Sequence, residues 1–116
     1  MSGYRPLAPL STEEETAIIN FGSINIDHVY QVEHFVQPGE TIASTHYQTL
    51  LGGKGANQSI ALAQAGADVR HVGSIHQNDA SFKQALIKKG VDCRGVKCSE
   101  TPSGHAIIQV TPSGEN

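Results

Sequence analysis

The chain has 116 residues, a formal charge of −3 and 38% hydrophobic residues, which limits it to one small domain. Lys and Arg are few and scattered, so no basic face for nucleic acid is expected, and no apolar run is long enough to span a membrane. The first 15 residues lack the apolar centre of a secretory signal, and the two cysteines, Cys93 and Cys98, are too few for a disulfide framework or a zinc site. Cytoplasmic residence with reduced thiols is the expectation.

Residues 1–15, with prolines, serines and Glu13-Glu14-Glu15, read as a disordered leader ahead of a domain at 16–116. The short apolar run at 16–22 has the character of a strand buried on both faces. After it, Ser23-Ile24-Asn25-Ile26-Asp27-His28 alternates, which puts Asn25 and Asp27 on one side of extended backbone. Both are expected just past the C-terminal end of that first strand, where ligands collect in open α/β sheets. Segments 29–32 and 40–51 read as two further strands joined through the turn Gln37-Pro38-Gly39-Glu40. Neither face of 40–51 is strongly apolar, which suits a solvent-facing flap.

Gly52-Gly53-Lys54-Gly55-Ala56-Asn57-Gln58 then leads into an alanine-rich helix, expected over about 56–65 and stopped by Gly66. Glycines allow positive φ and close backbone approach, while the helix start offers unpaired N–H groups and a partial positive charge. Lys54 adds a mobile cation. The spacing matches neither the Walker phosphate loop nor G-x-G-x-x-G, so the loop by itself is compatible with a plain helix-opening turn beside a solvated lysine. A strand at 68–75 follows, then a helix capped by Asn78 or Asp79 with Phe82, Ala85 and Leu86 on one face and Gly90 at its end. Strands near 91–97 and at 105–110 complete the series, and the closing residues 111–116 have tight-turn composition. The six histidines show no ligand spacing and are read as ordinary surface or half-buried imidazoles. Strands alternating with helices imply parallel βαβ units, an α/β fold with a flap. A turn with no returning strand leads to the expectation that the chain is the front piece of a longer protein.

Three co-ordered motifs, Gly22-Ser23-Ile24-Asn25-Ile26-Asp27-His28, Pro38-Gly39-Glu40-Thr41 and the glycine loop at 52–58, resemble the N-terminal part of the ribokinase-like PfkB-type carbohydrate kinases. The resemblance implies a three-layer α/β sandwich with a small β-sheet lid near residues 29–51 that covers a sugar and makes a homodimer contact. It implies ATP-dependent phosphorylation of a sugar hydroxyl, ribose favoured, with Mg2+ and K+. Carried over by motif, Asn25 and Asp27 would bind the sugar hydroxyls, and Gly53, Lys54 and Asn57 would complete the pocket. Ala106 and Ile108 would line its apolar wall. The family's catalytic base is an aspartate following glycine, and no aspartate here follows a glycine. The base, the nucleotide site and the metal sites are therefore expected beyond Asn116, and the isolated chain is expected to be inactive. The alternative is a non-catalytic sugar-binding or oligomerisation module.

Overall fold

The computed structural model describes residues 16–116, so the expected leader lies outside the described residues. Its elements are β1 (Ile18–Phe21), β2 (Asn25–Gln31), β3 (His46–Gly52), α1 (Lys54–Gln64), β4 (Val69–His76), a 3-10 turn (Gln77–Asp79), α2 (Ala80–Lys88), β5 (Asp92–Ser99) and β6 (Gly104–Val110). They build two three-stranded sheets. One is parallel, in the order β1-β4-β5, and the other has the order β3-β2-β6.

The parallel sheet follows from two βαβ crossovers, with α1 leading to β4 and α2 leading to β5. Along β4, Val69, His71 and Ile75 are buried while Arg70 and Ser74 are exposed, so the strand period sends one face to the core. That core gathers Ile24, Ala56, Val69, Ile75, Leu86, Val91, Cys93 and Val96, and Leu51, Ile60, Leu62 and Ala63 pack against it. Both helices thus cover one face of the sheet. Phe82 and Ala85 are half-buried and Leu86 fully buried, as their i, i+3, i+4 spacing requires. Gly66 and Gly90 both take φ of 95°, the left-handed stop expected of each helix.

β1 is not buried on both faces. Ile19 is 57% and Phe21 75% exposed, because among the described residues no helix packs on the outer face of this sheet. The helix α1 opens at Lys54, two residues earlier than its alanine run indicates, with Gly53 as its N-terminal flanking residue. Asp79 does precede α2 but makes no capping hydrogen bond, since its Oδ2 accepts from Ser103 Oγ at 2.7 Å instead.

The second sheet departs further from expectation. Asn25 and Asp27 lie just past the end of β1 as expected, but they already belong to β2, which starts at Asn25 rather than near 29 because its central place requires extended backbone from there onward. Residues 40–45 are not a strand, because Gln31 pairs with His46 and β2 offers no partner beyond that point. The sheet also has a third member, since β6 runs parallel to β2 from Asn25↔Gly104 to Gln31↔Val110. The Gln37-Pro38-Gly39-Glu40 turn forms as expected, with Glu40 N donating to Gln37 O at 2.9 Å and Gly39 at φ 78°. The Glu40 carboxylate accepts from Gln37 N at 2.9 Å and meets His34 Nε2 at 2.8 Å, which together hold its pKa below the usual value.

Candidate functional site

The two sheets meet where β1 passes into β2 through Gly22-Ser23-Ile24, and the glycine loop packs against that passage. Gly53 has φ 98°, and a Cβ there would lie 2.7 Å from Ser23 O and 2.9 Å from Asn25 N. No L side chain fits that conformation or that space. Two residues on, at Gly55, a Cβ on Gly22 would stand 2.7 Å from Gly55 Cα, so the two backbones touch directly. Ala56 N donates to Ser23 O at 2.9 Å and seals the helix start to the passage.

Asn25 and Asp27 rise from one face of β2. Their ladder partners are Gly52 and Gly104 for Asn25, and Leu50 and Ala106 for Asp27. The glycines leave the space these side chains occupy. A Cβ on Gly52 would collide with the Asp27 carboxylate, with Oδ1 at 2.6 Å, and one on Gly104 would collide with the Asn25 amide oxygen. Both side chains are half-buried. Lys54 and Asn57 stand one turn apart on the first turn of α1, and both are exposed. Of the five residues expected from motif, Asn25, Asp27 and Gly53 converge at the junction of the sheets. Lys54 and Asn57 extend from it along the helix start. Ala106 and Ile108 lie two apart on β6 and share the face of Asp27 and Val29, their ladder partners.

The opposite face of β2 borders a separate cleft of about 550 Å3, lined by Ile26, His28, Thr49, His76, Phe82 and His105. His28 Nδ1 there meets Tyr47 Oη at 2.7 Å, with the rings stacked. Among the described residues no group of three or more His, Cys, Asp or Glu side chains is arranged to hold a metal.

A family model for pfkB family carbohydrate kinases matches residues 15–116. The chain belongs to that family. It is similar to a ribokinase of Haemophilus influenzae, at 42% identity over 98 residues, covering 82% of this chain and 32% of that protein. Among solved structures, the ribokinase of Cryptococcus neoformans var. grubii serotype A in complex with ADP superposes with a TM-score of 0.78 at 39% identity, covering 87% of this chain and 32% of the other. The Arabidopsis thaliana ribokinase complexed with ribose and ATP gives a TM-score of 0.73 at 31% identity, over 86% of this chain and 33% of the other. The chain thus spans about a third of the length of these relatives. Within the family's α/β fold it carries the β1-β4-β5 part of the main sheet, one helical layer and the small β3-β2-β6 sheet.

Some features of the junction were not legible in the motifs. Gly104 opens β6, whose pairing with β2 spans nearly eighty residues, so nothing local ties it to Asn25. His71, read as a surface or half-buried imidazole, is fully buried. Its ring bonds Ser59 Oγ at 2.7 Å and Gly22 O at 3.0 Å. The signal available was its place in β4, two residues from Val69 and four from Ile75, on the core face.

Proposed function

We propose that this chain is the sugar-holding part of an ATP-dependent carbohydrate kinase that phosphorylates a hydroxyl of ribose. The observation that carries the proposal is the pairing of Asn25 and Asp27 over Gly52 and Gly104, beside the glycine loop, in a pfkB family chain. A carboxylate accepts from two neighbouring hydroxyls, and an amide both donates and accepts, which is the donor set that orients a polyol. Asp27 and Asn25 are assigned to the sugar hydroxyls, with Gly53, Lys54 and Asn57 completing the pocket from the loop and helix start. Ala106 and Ile108 form its apolar wall. The small sheet acts as lid.

Phosphoryl transfer depends on positioning, charge stabilisation and a base for the attacking hydroxyl. ATP, with Mg2+ and K+, supplies and steadies the transferred group when bound, and its sites belong outside the residues described here. Asp27 holds hydroxyls rather than acting as base, because the family's base is an aspartate that follows glycine and Asp27 follows Ile26. The 116-residue chain alone is accordingly inactive. The same reading pairs two copies through their lids, supported by the exposed side chains Tyr47 and Ile107, which share one face of that sheet.

The test is calorimetry and a phosphorylation assay on the full-length protein carrying this segment. Ribose binding and ribose phosphorylation are expected, and Asp27→Ala weakens ribose binding about a hundredfold. A well-folded parent that binds no sugar removes the proposal.

A further inference from the structure

Behind the junction lies a run of polar side chains that the sugar-holding role does not use. Ser59 and His71 are both 0% exposed. Asn20 Nδ2 donates to Gly55 O at 3.1 Å and to Ser59 Oγ at 2.9 Å. Ser59 Oγ lies 2.7 Å from His71 Nδ1, and His71 Nε2 lies 3.0 Å from Gly22 O. A carbonyl only accepts, so Nε2 carries the hydrogen; a neutral ring then leaves Nδ1 to accept from the Ser59 hydroxyl. Ser59 Oγ keeps a lone pair for Asn20. With this tautomer the bonds run from Asn20 through Ser59 and His71 to Gly22 O, and a second branch runs from Asn20 back to Gly55 O.

The two carbonyls at the ends of this run belong to Gly22 and Gly55, the residues whose backbones touch. Three residues beyond Gly22 is Asn25, and two before Gly55 is Gly53, which packs on Asn25 N. Gly73 leaves the room the ring needs, since a Cβ there would sit 3.3 Å from His71 Nε2. We propose that Asn20, Ser59 and His71 form one coupled positioning unit, drawn from β1, α1 and β4, that sets the glycine loop against the passage into β2. The unit touches no ligand. A fully satisfied buried network is rigid, whereas losing one member leaves its partners unpaired. For its ligand this inference rests on the sugar-holding reading above.

The test uses the full-length protein carrying this segment, with Ser59→Ala, His71→Phe and the triple variant Asn20→Leu/Ser59→Ala/His71→Phe. Each single variant weakens ribose binding about tenfold in Kd and KM with kcat nearly unchanged, the scale of one unpaired buried group. The triple variant, which removes the three side chains together and leaves only the Gly22 and Gly55 carbonyls to re-pair, loses less than the sum of the single losses, because members of one unit do not add. Nitrogen-15 spectra of the parent report a neutral Nε2–H ring for His71, and amide exchange at Gly53 to Asn57 quickens in every variant. A folded set of variants with parental ribose affinity and parental exchange at those amides overturns the proposal, as does an Nδ1–H ring. Should a single variant fail to fold, the triple variant and the parent's tautomer decide the matter. Should the parent bind no ribose, the sugar-holding reading fails, while the tautomer and exchange readouts still test this unit.

Discussion

The two sheets of this chain have the same number of strands and opposite economies of burial. The β1-β4-β5 sheet gathers a contiguous apolar cluster under two helices, with Val69, Ile75 and Leu86 at most 1% exposed. The β3-β2-β6 sheet has most of its side chains partly or fully in solvent, and only Ile26 and the glycine Gly52 are buried among its strand residues. The first is held by packing, the second by its ladders and by its root at Ile24 and Leu51. Their difference locates the site: polar side chains are affordable on the sparsely packed sheet, yet they are held accurately because that sheet starts at the packed junction.

Perturbing each region separately sharpens this contrast. The largest effect is expected from Leu86→Ala, which opens a void in the packed sheet and costs about 4 kcal/mol in chemical denaturation. Next is Gly55→Ala at the junction, where the new Cβ meets the Gly22 backbone and Ser23 N at 2.5 Å. A loss of about 3 kcal/mol is expected, accompanied by loss of ribose binding that Leu86→Ala spares in the fraction still folded. Asp27→Ala, on the sparsely packed sheet, should reverse the pattern. Ribose affinity falls about a hundredfold by calorimetry, for two charge-assisted hydrogen bonds, while the denaturation midpoint hardly moves. Equal stability losses from Leu86→Ala and Asp27→Ala would break the comparison.

The smallest effect concerns charge at the edge of the packed sheet. Arg94 donates to Asp92 with Nη2–Oδ2 at 2.6 Å, and these bonds hold the Asp92 pKa down at about 2. A carboxylate with a depressed folded pKa stabilises above its unfolded value and loses that contribution as pH falls through the folded one. The melting-temperature gap between the parent and Asp92→Asn should therefore be open at about pH 5 and close as pH approaches about 2. The pair is exposed, so the gap is small. A gap that widens toward acid would refute the assignment.

Local chemistry made much of this readable in advance. The alanine-rich run after the glycine loop, the stops at Gly66 and Gly90 and the Pro38-Gly39 turn each follow from neighbouring residues alone. The alternation at 23–28 placed Asn25 and Asp27 on one side, just past the end of β1, but did not show that they already belong to β2, since a strand's limits depend on its partners. The same dependence explains why 40–45 remains irregular despite its alternation: Gln31 is the last residue with a ladder to offer.

By itself, then, the order of residues determined the elements, the family motifs and which side chains share a face, because those depend on backbone sterics and on spacings of a few positions. Tertiary structure decided that β6 lies beside β2, that Gly52 and Gly104 flank Asn25, and that His71 is sealed beneath the glycine loop. Each of these joins segments dozens of residues apart, and such pairings are selected by competition for a shared core and for unpaired backbone groups across the whole fold.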